Sequence, residues 1–293
     1  VFHLREMIWT PLISNARKKY SLDEFDIYQF EMGMEFYRDA RWVKELKRQG
    51  KGVIAFYHGT DVRNRGIIKP VDETCHLRLT SELDLLTIHP QLEYIFLPID
   101  LSLFPNPEFR VPSSKPRTPL RIGHAARSRK LKGTAAVIAA VELLQKKGLA
   151  VELVLMENMP HEQVLQLKAS CDIAVDQLTD LGGWGYGMSS LEFLAMGVPV
   201  ITYMRPEYET FLPDHPFVNA NEQTIVQAIE RLIVEESYRR ERAIAGRAFV
   251  EKYHEVTVVL RQLYDYLIRE RLCSELPVPL QKVTAPRINK VGL

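Results

Sequence analysis

The glycine-rich stretch Gly182-Gly183-Trp184-Gly185-Tyr186-Gly187 runs straight into Met188-Ser189-Ser190-Leu191-Glu192-Phe193-Leu194-Ala195-Met196, whose apolar spacing predicts a helix. Glycines let a ligand approach the backbone. The unpaired N–H groups of a first helical turn, together with the helix dipole, favour a bound diphosphate. Gly185, Gly187, Met188 and Ser189 are therefore candidate substrate-binding residues. Glu192, one turn further in, has two readings. Its carboxylate could accept hydrogen bonds from ribose hydroxyls, as the acidic residue of dinucleotide folds does. Alternatively, Ser189-x-x-Glu192 is a capping box in which the glutamate folds back onto the backbone and binds nothing.

A second stretch, Arg121-Ile122-Gly123-His124-Ala125-Ala126-Arg127-Ser128-Arg129-Lys130-Leu131-Lys132-Gly133-Thr134, leaves an apolar run and enters a helix. It carries four cations, Arg127, Arg129, Lys130 and Lys132, beyond the carboxyl end of a predicted strand, which is where open parallel sheets bind ligands. Cations there would neutralise a diphosphate that gains charge as it departs. Taken alone, the same loop reads as a solvated basic surface. In the first hundred residues, Phe56-Tyr57-His58-Gly59-Thr60-Asp61-Val62-Arg63 places His58 directly after an apolar run. An imidazole at a strand edge could hydrogen-bond a donor sugar or a leaving phosphate. His58 and Asp61 could equally close a tight turn, with Gly59 supplying the unusual dihedral.

These residues need a scaffold, and the apolar pattern supplies it. Leu120 to Gly123, Val151 to Met156, Ile173 to Val175 and Val198 to Thr202 are short Val- and Ile-rich runs. They are separated by amphipathic stretches at Thr134 to Lys147, Glu162 to Ala169 and Gly187 to Met196, the last stopped by Gly197. Three more helical stretches follow, at Glu222 to Glu236, Tyr238 to Tyr253 and Val256 to Arg271. A parallel sheet covered on both faces by helices is the expected result. The first hundred residues repeat the rhythm more weakly, with Ile27 to Phe30, a helix from Arg38 to Gln49, Val53 to Tyr57 and Tyr94 to Leu97. Seven prolines and serines between Pro105 and Pro119 exclude helix and central strand, and mark a linker.

The expected fold class is α/β, with two Rossmann-like domains whose parallel sheets face a cleft, the first of them short. Expected ranges are 1–104 for the first domain, 105–119 for the linker, 120–273 for the second domain and 274–293 for a loose or surface-draped tail. The chain opens on Val1 and an irregular stretch instead of a strand, so a truncated or processed first domain is also expected.

Composition narrows the function. With 46% hydrophobic and 26% charged residues, 293 residues suffice for buried cores in both domains. No run of about eighteen apolar residues occurs and the first thirty residues lack a signal peptide's order, so a cytoplasmic protein is expected. A net charge of +1 provides no global field for nucleic acid, and the cluster Arg239, Arg240 and Arg242 reads as a solvated helix face. Cys75, Cys171 and Cys273 form neither a disulfide framework nor a zinc knuckle. No Asp-x-Asp pair and no metal-ligand spacing is present, so no metal and no cofactor are expected. The absence of a P-loop sequence argues against a kinase or ATPase.

The basic segment followed about sixty residues later by the glycine-rich segment resembles the carboxyl-terminal domain of the GT-B glycosyltransferases, most closely family 4 (group 1). The resemblance covers roughly residues 117 to 270. It places the family's basic pair on Arg127 and Lys132, and the second glutamate of its donor motif on Glu192. The family's first glutamate, eight positions earlier, is Trp184 here, so the usual contact to the transferred sugar is absent or supplied differently. His58-Gly59-Thr60-Asp61-Val62-Arg63 resembles the histidine-glycine-serine-aspartate-arginine sequence of some relatives, and Leu97-Pro98-Ile99-Asp100 the proline-aspartate sequence at the end of the first domain. The resemblance implies a hexosyltransferase-like enzyme of carbohydrate biosynthesis. It would move a sugar from a nucleotide diphosphate sugar to a sugar, lipid or protein hydroxyl with retention, and peripheral membrane contact is common among relatives. His58, Arg127 and Lys132 are then the catalytic candidates. The alternatives are a nucleotide-sugar 2-epimerase and a binding module without turnover.

Overall fold

A computed structural model describes residues 2–37, 39–104, 118–212 and 214–286. The chain divides into two compact units, Val1–Ile95 with Leu263–Pro277, and Phe96–Gln262 with Val278–Leu293.

In the first unit, β1 (Ile27–Glu31), β2 (Gly52–Tyr57), β3 (Leu77–Thr80) and β4 (Glu93–Tyr94) form one sheet in the order β1-β2-β3-β4, every pair parallel. The opening stretch, expected to be irregular, is instead a helix, α1 (Phe2–Lys19), with Pro11 inside it. Helix α2 (Arg41–Arg48) buries Trp42, Val43 and Leu46, and the Trp42 ring packs edge-on against Tyr28 and Phe30 of β1. Short helices α3 (Thr60–Asn64), α4 (Lys69–Asp72) and α5 (Leu85–Ile88) occupy the connections. Strand β3 was not expected: Leu77-Arg78-Leu79-Thr80 is only four residues long, and its side chain at Arg78 interrupts the apolar run by pairing with Asp72 at 3.0 Å.

In the second unit, β5 (Leu120–Ala125), β6 (Val151–Met156), β7 (Ile173–Val175), β8 (Val200–Thr202) and β9 (Val218–Asn219) form a second all-parallel sheet in the order β6-β5-β7-β8-β9. The helices are α6 (Arg129–Lys132), α7 (Thr134–Lys146), α8 (His161–Ala169), α9 (Met188–Ala195), α10 (Pro206–Phe211), α11 (Ile225–Val234), α12 (Glu236–Tyr253) and α13 (Val256–Arg269). Val137, Ala140, Val141 and Leu144 of α7 and Ile225, Ile229 and Leu232 of α11 recur at helical spacing, and bury one sheet face together with Ile122, Ile173, Val175 and Ile201. The opposite face is closed by α8 and α9: a Cβ on Gly123 would lie 2.7 Å from Cys171 Sγ and 3.0 Å from the Phe193 ring. Helix α12 packs on α9 at Gly246, where a Cβ would meet Leu194 at 2.6 Å.

The expected ranges 1–104 and 120–273 differ from this division at both ends. Residues from Leu97 group with the second unit because His254 Nδ1 bonds Leu97 O at 2.8 Å and Ile99 exchanges backbone hydrogen bonds with His254 and Val256. The far half of α13 groups with the first unit, where Tyr266 Oη donates to Tyr94 O at 2.7 Å and Arg269 pairs with Glu93 at 3.0 Å. The linker lies outside the described residues except for Thr118 and Pro119. The described part of the tail is packed: Leu280 is buried, and Arg261 donates to the carbonyls of Leu280 and Val283.

Candidate functional site

In the second sheet β5 has β6 on one side and β7 on the other, so the chain reverses its direction of winding there. The crevice beyond the carboxyl ends of β5 and β7 is the topological switch point, the ordinary ligand position of an open α/β sheet. Three segments reach it. Helix α6 follows β5 and ends on Lys132, residues 176–187 follow β7, and α9 begins where that loop ends.

These segments are joined through one carboxylate. Asp176 is fully buried; its Oδ1 lies 2.5 Å from Lys132 Nζ and its Oδ2 accepts the Ser190 hydroxyl at 2.6 Å. Burial pushes the Asp176 carboxyl up, but the ammonium of Lys132 and the hydrogen bonds from Lys132 and Ser190 outweigh it and hold the group below the ordinary carboxylate range. Lys132 is thus fixed beside the first turn of α9. Its position depends on Gly133, which joins α6 to α7 at φ 68°, and where a Cβ would stand 3.0 Å from Leu178. Of the other three cations in the segment, Arg129 is drawn away to Glu157 at 2.6 Å, Lys130 is exposed, and Arg127 is exposed with no ion pair among the described residues.

A second lysine meets the same turn. Lys168 of α8 is buried; its Nζ reaches Ser189 Oγ at 2.8 Å and Glu192 Oε2 at 2.5 Å. Burial lowers the basicity of this ammonium, and Glu192 opposes the shift. Glu192 Oε1 meets His161 Nε2 at 2.7 Å. The capping-box alternative therefore does not describe this helix: Gly187 stands at its N-cap with no side-chain cap, and the Glu192 carboxylate points to Lys168 and His161. The first-turn amides of Met188, Ser189 and Ser190 have no partner within the helix, as in any α-helix start, and open space lies off Gly187.

The glycine-rich loop is shaped from two sides. The Gln177 amide donates to Gly183 O at 3.2 Å and also to Gly185 O. Gly185 lies against the Tyr208 ring, where a Cβ would come to 2.6 Å. Tyr186 stacks on Phe217 with centroids 4.6 Å apart, and its hydroxyl donates to Nε2 of His254 at 2.9 Å, while His254 Nδ1–H donates to Leu97 O. Trp184 is covered by the Arg205 guanidinium, 4.6 Å from the ring centroid, and that arginine also pairs with Asp180 and Glu207.

In the first unit, His58 follows β2 and is half-exposed, with Nε2 against Glu31 at the end of β1. The turn reading is what the backbone adopts: Gly59 has φ 89° and ψ −68°, Thr60 N–H donates to His58 O, and Asp61 Oδ1 accepts the His58 N–H at 3.1 Å. The turn leaves the imidazole outside its own hydrogen bonding.

The sequence pattern singles out Lys132, Glu192 and the loop as candidates but not Asp176, Lys168, His161 or the Tyr186–His254 pair, which the structure joins to them. Asp176 carried a signal, an acidic residue closing a buried strand at the switch point. The other three are joined by contacts across 24 to 68 positions, and nothing local marks them.

An all-parallel second sheet with a glycine-preceded helix at its switch point, together with a first all-parallel sheet, is the arrangement of the GT-B fold. Residues 123–265 match the family model described as Glycosyl transferase-like. No curated protein matches the chain. Solved structures share its fold at low identity. The sucrose-phosphate synthase of Thermosynechococcus elongatus is 15% identical with a TM-score of 0.59, covering 90% of this chain and 77% of that one. HepE of Anabaena in complex with UDP-glucose is 15% identical with a TM-score of 0.59, covering 87% and 81%. An alpha-glucosyltransferase in complex with UDP and DNA is 11% identical with a TM-score of 0.57, covering 83% and 80%. Among the described residues, no helix is long and apolar enough to cross a membrane, and no group of His, Cys, Asp or Glu is arranged to hold a metal ion.

Proposed function

We propose that this chain transfers a sugar from a nucleoside diphosphate sugar to a hydroxyl acceptor, with retention and without a divalent cation. The observation that carries the reading is the Lys132–Asp176–Ser190 chain, which presents an ammonium beside the uncapped first turn of α9. Helix N-termini ordinarily attract anions, and Lys132, partly exposed and held there by Asp176, adds an ammonium beside that turn, an arrangement that suits a diphosphate. In the reaction the bond from the sugar's anomeric carbon to the β-phosphate oxygen breaks, the acceptor oxygen bonds that carbon, and the acceptor proton passes to the departing phosphate. Lys132, Arg127 and the amides of Met188 and Ser189 stabilise the diphosphate as its charge grows. Gly185 and Gly187 allow its approach, and Glu192 holds the ribose. For His58 the proposed role is in transfer and not in donor binding.

The test is a thermal-shift series with uridine, guanosine and adenosine diphosphates and their sugars, followed by a donor-turnover assay with and without chelator. One donor raises the melting temperature, Lys132→Ala abolishes the shift, His58→Ala keeps the shift but loses turnover, and chelator has no effect. Absence of a shift with every donor refutes the reading. Interconversion of the sugar without transfer replaces it by an epimerase.

A further inference from the structure

At the carboxyl edge of the first sheet, β1 ends on Glu31, and His58 directly follows the neighbouring strand β2. The ladder pairs Glu31 with Phe56, so His58 stands just beyond that rung. The imidazole is held on three sides. The His58 backbone N–H is taken by Asp61 Oδ1 at 3.1 Å, the ring lies against that of Phe56 with centroids 4.7 Å apart, and Nε2 meets Glu31 Oε2. Glu31 is held in turn, because its Oε1 accepts from the Gln29 side-chain amide at 2.6 Å. Two further carboxylates that follow β3, Glu82 and Asp84, are engaged by Arg63 at 2.8 and 2.7 Å.

A carboxylate only accepts, so in the neutral imidazole the hydrogen sits on Nε2 and Nδ1 carries the lone pair. Among the described residues Nδ1 has no hydrogen-bond partner, and the side chain is 45% exposed. An exposed pair of this kind adds little to stability; its consequence is the tautomer. Without the carboxylate either nitrogen could carry the hydrogen, and the Nδ1–H form cannot accept from a hydroxyl at that nitrogen. We propose that Glu31 is a positioning residue: it holds His58 as the Nε2–H tautomer, so that Nδ1 accepts a hydrogen bond from a non-reacting hydroxyl of a sugar substrate. The carboxyl edge of an open parallel sheet is where such a ligand is met. The inference rests on the transferase reading above, in which the reacting hydroxyl gives its proton to the departing phosphate. The hydroxyl that His58 takes is therefore a second one, on the acceptor or on the donor sugar, and the substrate that carries it is a polyol.

Two measurements on the full chain test this. In protein isotopically labelled at its histidine nitrogens, with the His58 resonances assigned by their loss in His58→Ala, proton–nitrogen correlation spectra are expected to show the Nε2–H tautomer in wild type. Glu31→Gln, whose amide oxygen still accepts, is expected to keep it, and Glu31→Ala, at an exposed position where folding is little disturbed, to give a mixture. In kinetics, Glu31→Ala is expected to lower kcat/KM for transfer about tenfold, the equivalent of one hydrogen bond, with binding of the nucleoside diphosphate unchanged and with recovery in Glu31→Gln. Added to His58→Ala, the same substitution is expected to cost nothing further, because it acts through the imidazole. A loss confined to transfer places the hydroxyl on the acceptor, and an equal loss in donor hydrolysis places it on the donor sugar. Wild-type kcat/KM in Glu31→Ala, or one tautomer with and without the carboxylate, overturns the proposal and leaves the transferase reading standing. Absence of transfer by wild type overturns that reading, and this one with it.

Discussion

His254 offers the sharpest physical test of how the glycine-rich loop is anchored. The imidazole is completely buried among Phe96, Phe249 and Tyr186; Nδ1–H donates to Leu97 O and Nε2 accepts from the Tyr186 hydroxyl, so both nitrogens are satisfied in the neutral form. Burial, partly opposed by the Leu97 bond, depresses it from an ordinary 6.5 to about 4. Between those values the unfolded chain binds a proton that the folded chain does not, so stability is full above 6.5 and falls as pH drops towards 4. At ~1.36 kcal/mol per pH unit the whole window is worth ~3.4 kcal/mol, of which about 2.5 kcal/mol is gone by pH ~4.5. His124, buried and bonded to Val175 O and Thr134 Oγ1, is depressed in the same direction and adds to the acid loss, so the contribution of His254 is read as a difference. Denaturant melts of wild type and His254→Asn, which keeps a donor for Leu97, at pH ~7.5 and ~4.5 measure it. The variant starts less stable but loses about 2.5 kcal/mol less on acidification. Equal losses in the two proteins refute the assignment of His254 as a buried neutral anchor.

Lys168→Met leaves Glu192 as a buried carboxylate with only the exposed His161 beside it, and is expected to cost ~3–5 kcal/mol; adding Glu192→Leu recovers most of it, as denaturant melts of the single and double variants would show. Gly185→Ala drives a methyl to 2.6 Å from the Tyr208 ring, so the loop must shift; a loss of ~1–3 kcal/mol in thermal or denaturant melts is expected, accompanied by weaker donor binding in titration.

The central strands and most helices around the second sheet were legible in the sequence because β7 and β8 are short Val- and Ile-rich runs and the helices alternate with them, whereas β9, two residues long, and α10 were not. A strand buried on both faces must read this way. The first domain was legible only in outline. Strand β3 is four residues interrupted by Arg78, whose charge is neutralised by Asp72 and which therefore looked like loop. The opening helix α1 carries no acidic residue in its first turn, and a proline inside, so neither its start nor its continuity was marked.

The sequence by itself determined the fold class, the glycine-rich loop, the helix it precedes, and the candidacy of Lys132 and Glu192, because each depends on residue type and local spacing. Only the tertiary structure decided that Lys132 alone among the four cations is tied into the switch point, and that Glu192 is shared between a buried lysine and an exposed histidine. It alone paired Tyr186 with His254 as well. The reason is that a buried charge or polar atom must find its partner wherever the folded chain brings one, and these partners come from helices and strand ends far apart in the sequence.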